Sequence, residues 1–451
     1  MRKHGRDERG VPLERATGEL RVSLVRASFQ SWLLLLAGVV LGACSRHDRA
    51  QEHALLQASA PAKPSAPPAP SGLAPQASLT RGDATRGREL VEHFECNRCH
   101  EGTGLASAPP AKNCFSCHDQ IITGRFPVSA AALVRFRPHV ASAREAPSLT
   151  ALGARLQQRW LIEYLLAPRD LRPRLMPTMP RLAIDAAQAA DIAAYFSALA
   201  AETAAPLPGA GSPGRGRELM EQKGCASCHA FSGVSPFPAS TAPMPEGSEA
   251  MRAATLAPDL RFTRERWGRA QLLRFLLNPR AIKPDTRMPN FDFSRDEARD
   301  ILAYVFDSEL AAEQAAPFVR LPLLTRRVSF EEANRRVFSR TCHHCHTDAE
   351  AAGGDGGPGN TGGFGFAPRG ISFSSHAAIL SGYLDARGER RSLFEPMSDG
   401  TPRLVAVLLA RHDEQRSVTK DTLRGMPLGL PPLSAEDIQL VESWVAQGKP
   451  L

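Results

Sequence analysis

Aromatic residues are scarce in this chain, at 6% of 451 residues with four Trp and four Tyr. A chain of this length has room for two to four ordinary domains. Their cores would normally draw more on aromatic side chains, so something other than side chains is expected to fill part of them. Long apolar runs are scarce too. Trp32 to Leu41 spans about ten residues, against the roughly 20 that a permanent membrane helix needs. There is no Gly-Lys-Ser/Thr loop to cradle a phosphate. Neither a nucleophilic triad nor a paired-carboxylate site can be read from the sequence. The formal charge of +8 is modest, and residues 1–43 carry seven Lys/Arg against four Asp/Glu, which leaves the remainder near +5. That excess does not imply nucleic acid as a partner.

Residues 1–43 read as a targeting segment rather than folded structure: basic residues including Arg2, Lys3, Arg15, Arg21 and Arg26 precede the apolar run. The run ends in Leu41-Gly42-Ala43-Cys44, which resembles the lipobox of bacterial lipoproteins. The resemblance implies cleavage before Cys44, acylation of that residue, and a membrane-anchored protein in the periplasm. Ser45 after the cysteine favours the outer membrane by likeness to lipoprotein sorting rules. Residues 44–80 are rich in Ala, Pro and Ser and cannot bury enough surface to fold, so they read as a tether.

Nine cysteines are present, and beyond Cys44 they fall without remainder into one pattern. It occurs as Cys96-Asn-Arg-Cys99-His100, Cys114-Phe-Ser-Cys117-His118, Cys225-Ala-Ser-Cys228-His229 and Cys342-His-His-Cys345-His346. Two thiols at this spacing reach the two vinyl groups of one haem, and the next residue places an imidazole under the iron. This is the attachment signature of c-type haem. Four disulfides would leave the four histidines unexplained. The pairs at 96 and 114 have near zinc-ribbon spacing, but the pairs at 225 and 342 have no such partner. Four covalent haems c are therefore expected, with His100, His118, His229 and His346 as iron ligands.

The chain also repeats itself. Arg86-Gly-Arg-Glu-Leu90 precedes the first motif and Arg215-Gly-Arg-Glu-Leu219 the third, an offset of 129. Downstream, Ala146-Pro-Ser-Leu149 matches Ala257-Pro-Asp-Leu260 at an offset of 111, so the first unit holds 18 more residues, which accommodate the Cys114 motif; which motif of the pair corresponds to the Cys225 motif is left open. The order of helix, Cys-x-x-Cys-His, Met-Pro loop and closing helix resembles class I cytochrome c. The resemblance covers residues 81–203, 213–312 and 327–451, most weakly in the last. It implies an all-α fold of three tandem cytochrome c-like domains, the first with two haems. It also implies that Gly87 and Gly216 lie where the first helices cross the last, whose apolar faces carry Ile192/Tyr195, Ile301/Tyr304 and Val441/Trp444.

In that family a methionine before proline is the sixth iron ligand, and Met179, Met288 and Met426 fit. Met179 and Met288 each lie 16 residues before the closing-helix Tyr195 or Tyr304, and Met426 lies 18 before Trp444. For the haem of His118 no fourth Met-Pro is in register; His139 and Met176 are the candidates, with an empty site the alternative. In the third unit His376, Met397 and His412 are weaker options, His343 and His344 are expected to point outward, and Gly353 to Phe366 reads as a flexible loop. The expected function is one-electron transfer between redox partner proteins that dock transiently. A haem enzyme, peroxidase- or reductase-like with an open sixth site, is the alternative.

Overall fold

The computed structural model describes residues 82–140, 143, 145–200, 209–238, 244–245, 247–313, 316–347, 359–416 and 423–451. The targeting segment, the tether and Cys44 lie outside the described residues, as does the side chain of His139. The described chain is mostly helical, and its one ladder is a two-residue hairpin, Tyr383–Leu384 against Arg390–Arg391. That accords with the all-α expectation.

Each repeat is built on an opening and a closing helix that cross. In the first, Asp83 caps Ala84–His93 by accepting from the Thr85 and Arg86 amides. The closing helix Ala186–Ala198 starts with a capping box between Asp185 and Gln188. The second repeat uses Ser212 and Pro213 at the start of Pro213–Gln222, and a Ser294/Glu297 capping box at Arg295–Asp307. At both crossings a glycine lets the backbones meet. A Cβ on Gly87 or Gly216 would lie 2.0 Å from the carbonyl oxygen of Asp191 or Asp300. The same two aspartates hold the opening helices by their side chains. The Asp83 amide donates to Asp191 (2.6 Å) and the Ser212 amide to Asp300 (2.8 Å).

The third repeat departs from this plan. Its opening segment, Phe330–Ala333, continues as the π-helical stretch Asn334–Cys342, which runs directly into the fourth motif. Its crossing with Ala435–Ala446 is aromatic rather than glycine-mediated. Phe338 meets Trp444 edge-on at 5.5 Å and Phe330 lies 5.9 Å from the same ring. An extra helix, Arg403–Gln415, packs Leu404, Val405 and Leu408 into this core.

Three hydrophobic clusters result, one per repeat, and the repeats are docked on one another. Leu156 and Trp267 are equivalent at the offset of 111 and pair with each other in an antiparallel bridge. Residues at equivalent positions meet in this way when two units are related by a pseudo-twofold axis. The Gln157 amide donates to the Arg266 carbonyl at 2.8 Å, and its side chain to the Trp267 carbonyl at 2.9 Å. The third repeat docks through its Met-Pro loop. The Thr178 amide donates to the Gly429 carbonyl (2.9 Å), and Arg411 reaches Thr178 Oγ1 (3.1 Å) and Asp170 (3.6 Å). The end of the glycine-rich stretch, read from sequence as flexible, is packed. Phe364 and Phe366 lie against the first repeat's core, with Arg98 over the Phe364 ring at 4.8 Å. Gly365 makes this possible, because a Cβ there would lie 2.5 Å from Phe94.

Candidate haem sites

None of the eight cysteines of the four motifs is joined in a disulfide. Each motif is one helical turn, which brings the second thiol and the histidine round to the face of the first. The His100, His229 and His346 amides donate to the carbonyls of Cys96, Cys225 and Cys342 at 2.9, 2.9 and 3.0 Å. The second motif opens the helix Cys114–Thr123, capped by Asn113. Glu95 and Gly224 stand in the left-handed conformation immediately before the first and third motifs. They turn the chain out of the opening helix and into the motif.

The histidines are oriented by their other ring nitrogen. His100 Nδ1 lies 2.8 Å from the Pro147 carbonyl and His229 Nδ1 2.8 Å from that of Pro258. These acceptors are equivalent across the repeat. The Cys96 motif, not the Cys114 motif, is therefore the counterpart of the Cys225 motif, a point the sequence had left open. His118 Nδ1 instead meets the Ala143 carbonyl at 2.5 Å. With Nδ1–H donated to a carbonyl, Nε2 is the nitrogen left for iron. His346 Nδ1 is buried against Gly359 without closing a hydrogen bond. Burial lowers the pKa of all four imidazoles, that of His346 to about 4, which keeps them neutral and ligand-competent. Burial also pushes the Cys96 and Cys342 thiols up to about 12 and Cys225 to about 11, as apolar walls disfavour thiolate. Cys99 is raised first by a hydrogen bond with Cys114 and then by burial, so the first two motifs touch.

A cavity of about 870 Å³ is bordered by the first, second and fourth motifs together. Met179 and Met426 line it as well. Met288 packs instead against the middle repeat's own core, near Phe291 and Phe293. Met176 is 40% exposed and is not among the lining residues. His376 and His412 are engaged elsewhere, their Nε2 atoms on the carbonyls of Lys449 and Leu433, and neither they nor Met397 lines the cavity.

Cationic side chains missed by the sequence reading complete the lining. Arg155, Arg172, Arg266 and Lys283 all border the cavity. Nε and Nη1 of Arg266 are buried with no hydrogen-bond partner, and burial lowers its pKa to about 9. Arg266 rests on the Trp160 ring at 5.3 Å, but a buried guanidinium with two unbonded nitrogens is costly unless an anion meets it, and the two carboxylates of a haem are anions of the right kind. Arg155 and Arg266 are equivalent at the offset of 111, so the repeat itself could have drawn attention to them. The residues present thus fit haem. Paired thiols would hold it, neutral histidines would ligate it, and arginines would meet its carboxylates. When bound, haem supplies an iron that gains and loses one electron. Arg266→Gln removes a positive charge that favours the reduced iron. The midpoint potential of the adjacent haem should fall by some tens of mV, where about 59 mV corresponds to 1.4 kcal/mol for one electron. Spectroelectrochemical titration reads this directly; an unchanged or raised potential would refute the pairing.

Neither the curated proteins nor the solved structures yield a match to the chain. Residues 214–308, the middle repeat, match the family model of cytochrome c. A cytochrome c domain there implies covalently bound haem c and supports a haem electron-transfer protein.

Proposed function

We propose that this protein is a tetrahaem c-type cytochrome of three tandem cytochrome c-like domains that relays single electrons between transiently docked redox partners. In this reading it is exported to the periplasm and held at a membrane through lipidated Cys44. The observation that carries the relay is the shared cavity: three of the four motifs border one space, so their haems would share one largely apolar cavity. The sulfur contact between Cys99 and Cys114 supports close approach of the first two haems. The partly buried Arg172 also acts electrostatically on both His100 and His229, linking the first repeat to the middle one.

The chain's own part is to hold each iron between fixed ligands and to exclude water from it. His100, His118 and His229, neutral and with Nδ1 tied to a carbonyl, need neither proton exchange nor rearrangement when the charge on a bound iron changes. Haemochrome absorbance together with intact mass, on protein matured in a haem-attaching host, should give four haems per chain. The double variant Cys114→Ser/Cys117→Ser should give three. A wild-type count of three would make the Cys114 turn a structural or metal site, and a count of zero would return the zinc or disulfide readings. On membrane-extracted protein the same mass reports loss of residues 1–43 and acyl groups on Cys44; an unprocessed, unacylated chain would sink the anchor.

A further inference from the structure

The haem of His118 has no methionine in register, and the sequence reading pointed His344 outward as a spacer. In the fold His344 is exposed, as a spacer should be, yet it also faces the second motif. His344 lines the same cavity as His118, Cys114 and Cys117. Its ring centre lies 6.1 Å from that of His118, with the planes inclined at 53°. A metal–imidazole bond is about 2.0–2.1 Å and a ring nitrogen lies about 1.1 Å from its ring centre, so an iron between two opposed imidazoles separates their centres by about 6.3 Å. The spacing between His118 and His344 matches that separation. We propose that His344, a spacer residue of the fourth Cys-x-x-Cys-His motif, is the sixth ligand of the haem attached at Cys114 and Cys117, giving that iron two histidines.

Three further observations support the assignment, which rests on the tetrahaem reading. His118 Nδ1 is held by the Ala143 carbonyl, which leaves Nε2 to ligate. The neighbouring spacer His343 borders the cavity too, but its Nε2 lies 3.2 Å from Thr347 Oγ1. Met176 is not among the residues lining the cavity. The bond needs only a lone pair from each neutral imidazole, and no proton leaves. One consequence is connectivity. His344 is bonded through one peptide unit to Cys345, a thioether site of the fourth haem, so the second and fourth haems would be joined through bonds as well as through space. A second is potential, because without a methionine sulfur as ligand this iron should be the lowest of the four.

The test is electron paramagnetic resonance and redox titration of the oxidised holoprotein, with haem counted in every sample. The wild type should show one low-spin bis-imidazole haem. His344→Ala should keep four haems, lose that signal, gain one high-spin haem that binds cyanide, and regain low spin on adding free imidazole. His344→Met should replace the bis-imidazole signal with a methionine–iron band and raise one midpoint potential. His343→Ala should leave the bis-imidazole signal in place. A wild type lacking that signal, or a signal that survives His344→Ala, overturns the ligand assignment alone. A wild type without haem on Cys114 and Cys117 overturns the tetrahaem reading and this inference with it.

Discussion

Gly216→Ala should disrupt the middle repeat, while Gly214→Ala, two residues earlier in the same helix, should leave stability unchanged or slightly raised. In an unconstrained helix either change adds up to about 1 kcal/mol, because alanine is the better helix former. At Gly214 nothing lies within 4 Å of the new methyl, so the helix term stands alone. At Gly216 the methyl would lie 2.0 Å from the Asp300 carbonyl oxygen and 2.9 Å from Tyr304 Cβ. The first neighbour is backbone in the middle of a helix and cannot turn aside. Opening helix Pro213–Gln222 must therefore lift from Arg295–Asp307, exposing Leu219, Ile301 and Leu302, now at most 3% exposed. Overpacking typically costs about 1–3 kcal/mol and more where the backbone is the obstacle, so the net loss should exceed about 2 kcal/mol. Denaturant titration followed at the haem absorbance reads both variants. Equal stability of the pair would show that the helices do not cross as described.

Met288→Ala should convert one haem to a high-spin, cyanide-binding form and lower its midpoint potential. Met288 sits in the loop before the closing helix, its amide on Thr286 Oγ1 at 3.2 Å and its side chain partly buried in the middle repeat's core. If it is only a core methionine, removing it costs packing and leaves the iron untouched. If it is the sixth ligand, the packing loss comes with loss of a methionine–iron band and a drop on the order of 100 mV, well inside the roughly 0.8 V that axial ligands span. Met288→His should stay low-spin at low potential, which separates ligand identity from cavity formation. The bands due to Met179 and Met426 should survive in both variants, so only about a third of the band is lost. A full methionine–iron band in Met288→Ala would reduce the residue to packing.

Two features the structure added bear on these tests. Arg266 was invisible as a site residue because an arginine in a sequence is usually a solvated charge; it is its burial, 4% exposed with two unpartnered nitrogens, that marks it. The π-helical entry to the fourth motif was likewise unforeseen. The His343 amide bonds five residues back to the Phe338 carbonyl at 2.8 Å, so no left-handed break separates helix from motif there, unlike at Glu95 and Gly224. π turns of this kind are often found at functional sites, and this one leads directly to the two spacer histidines.

By itself the sequence determined what is local. Four Cys-x-x-Cys-His turns follow from the reach of two thiols and an imidazole along one turn of helix. The first two repeats carry their own capping residues and crossing glycines in register. Only the tertiary structure decided what depends on contacts between distant segments. It assigned the Cys96 motif as the counterpart of Cys225 through the Pro147 and Pro258 carbonyls. It docked the Met179 and Met426 loops on each other, packed Phe364 and Phe366 onto the first core, and turned His344 toward His118. The physical reason is range. A motif's geometry is set by bonds and hydrogen bonds within five residues, whereas the company an imidazole or a buried guanidinium keeps is set by which surfaces the repeats bury together.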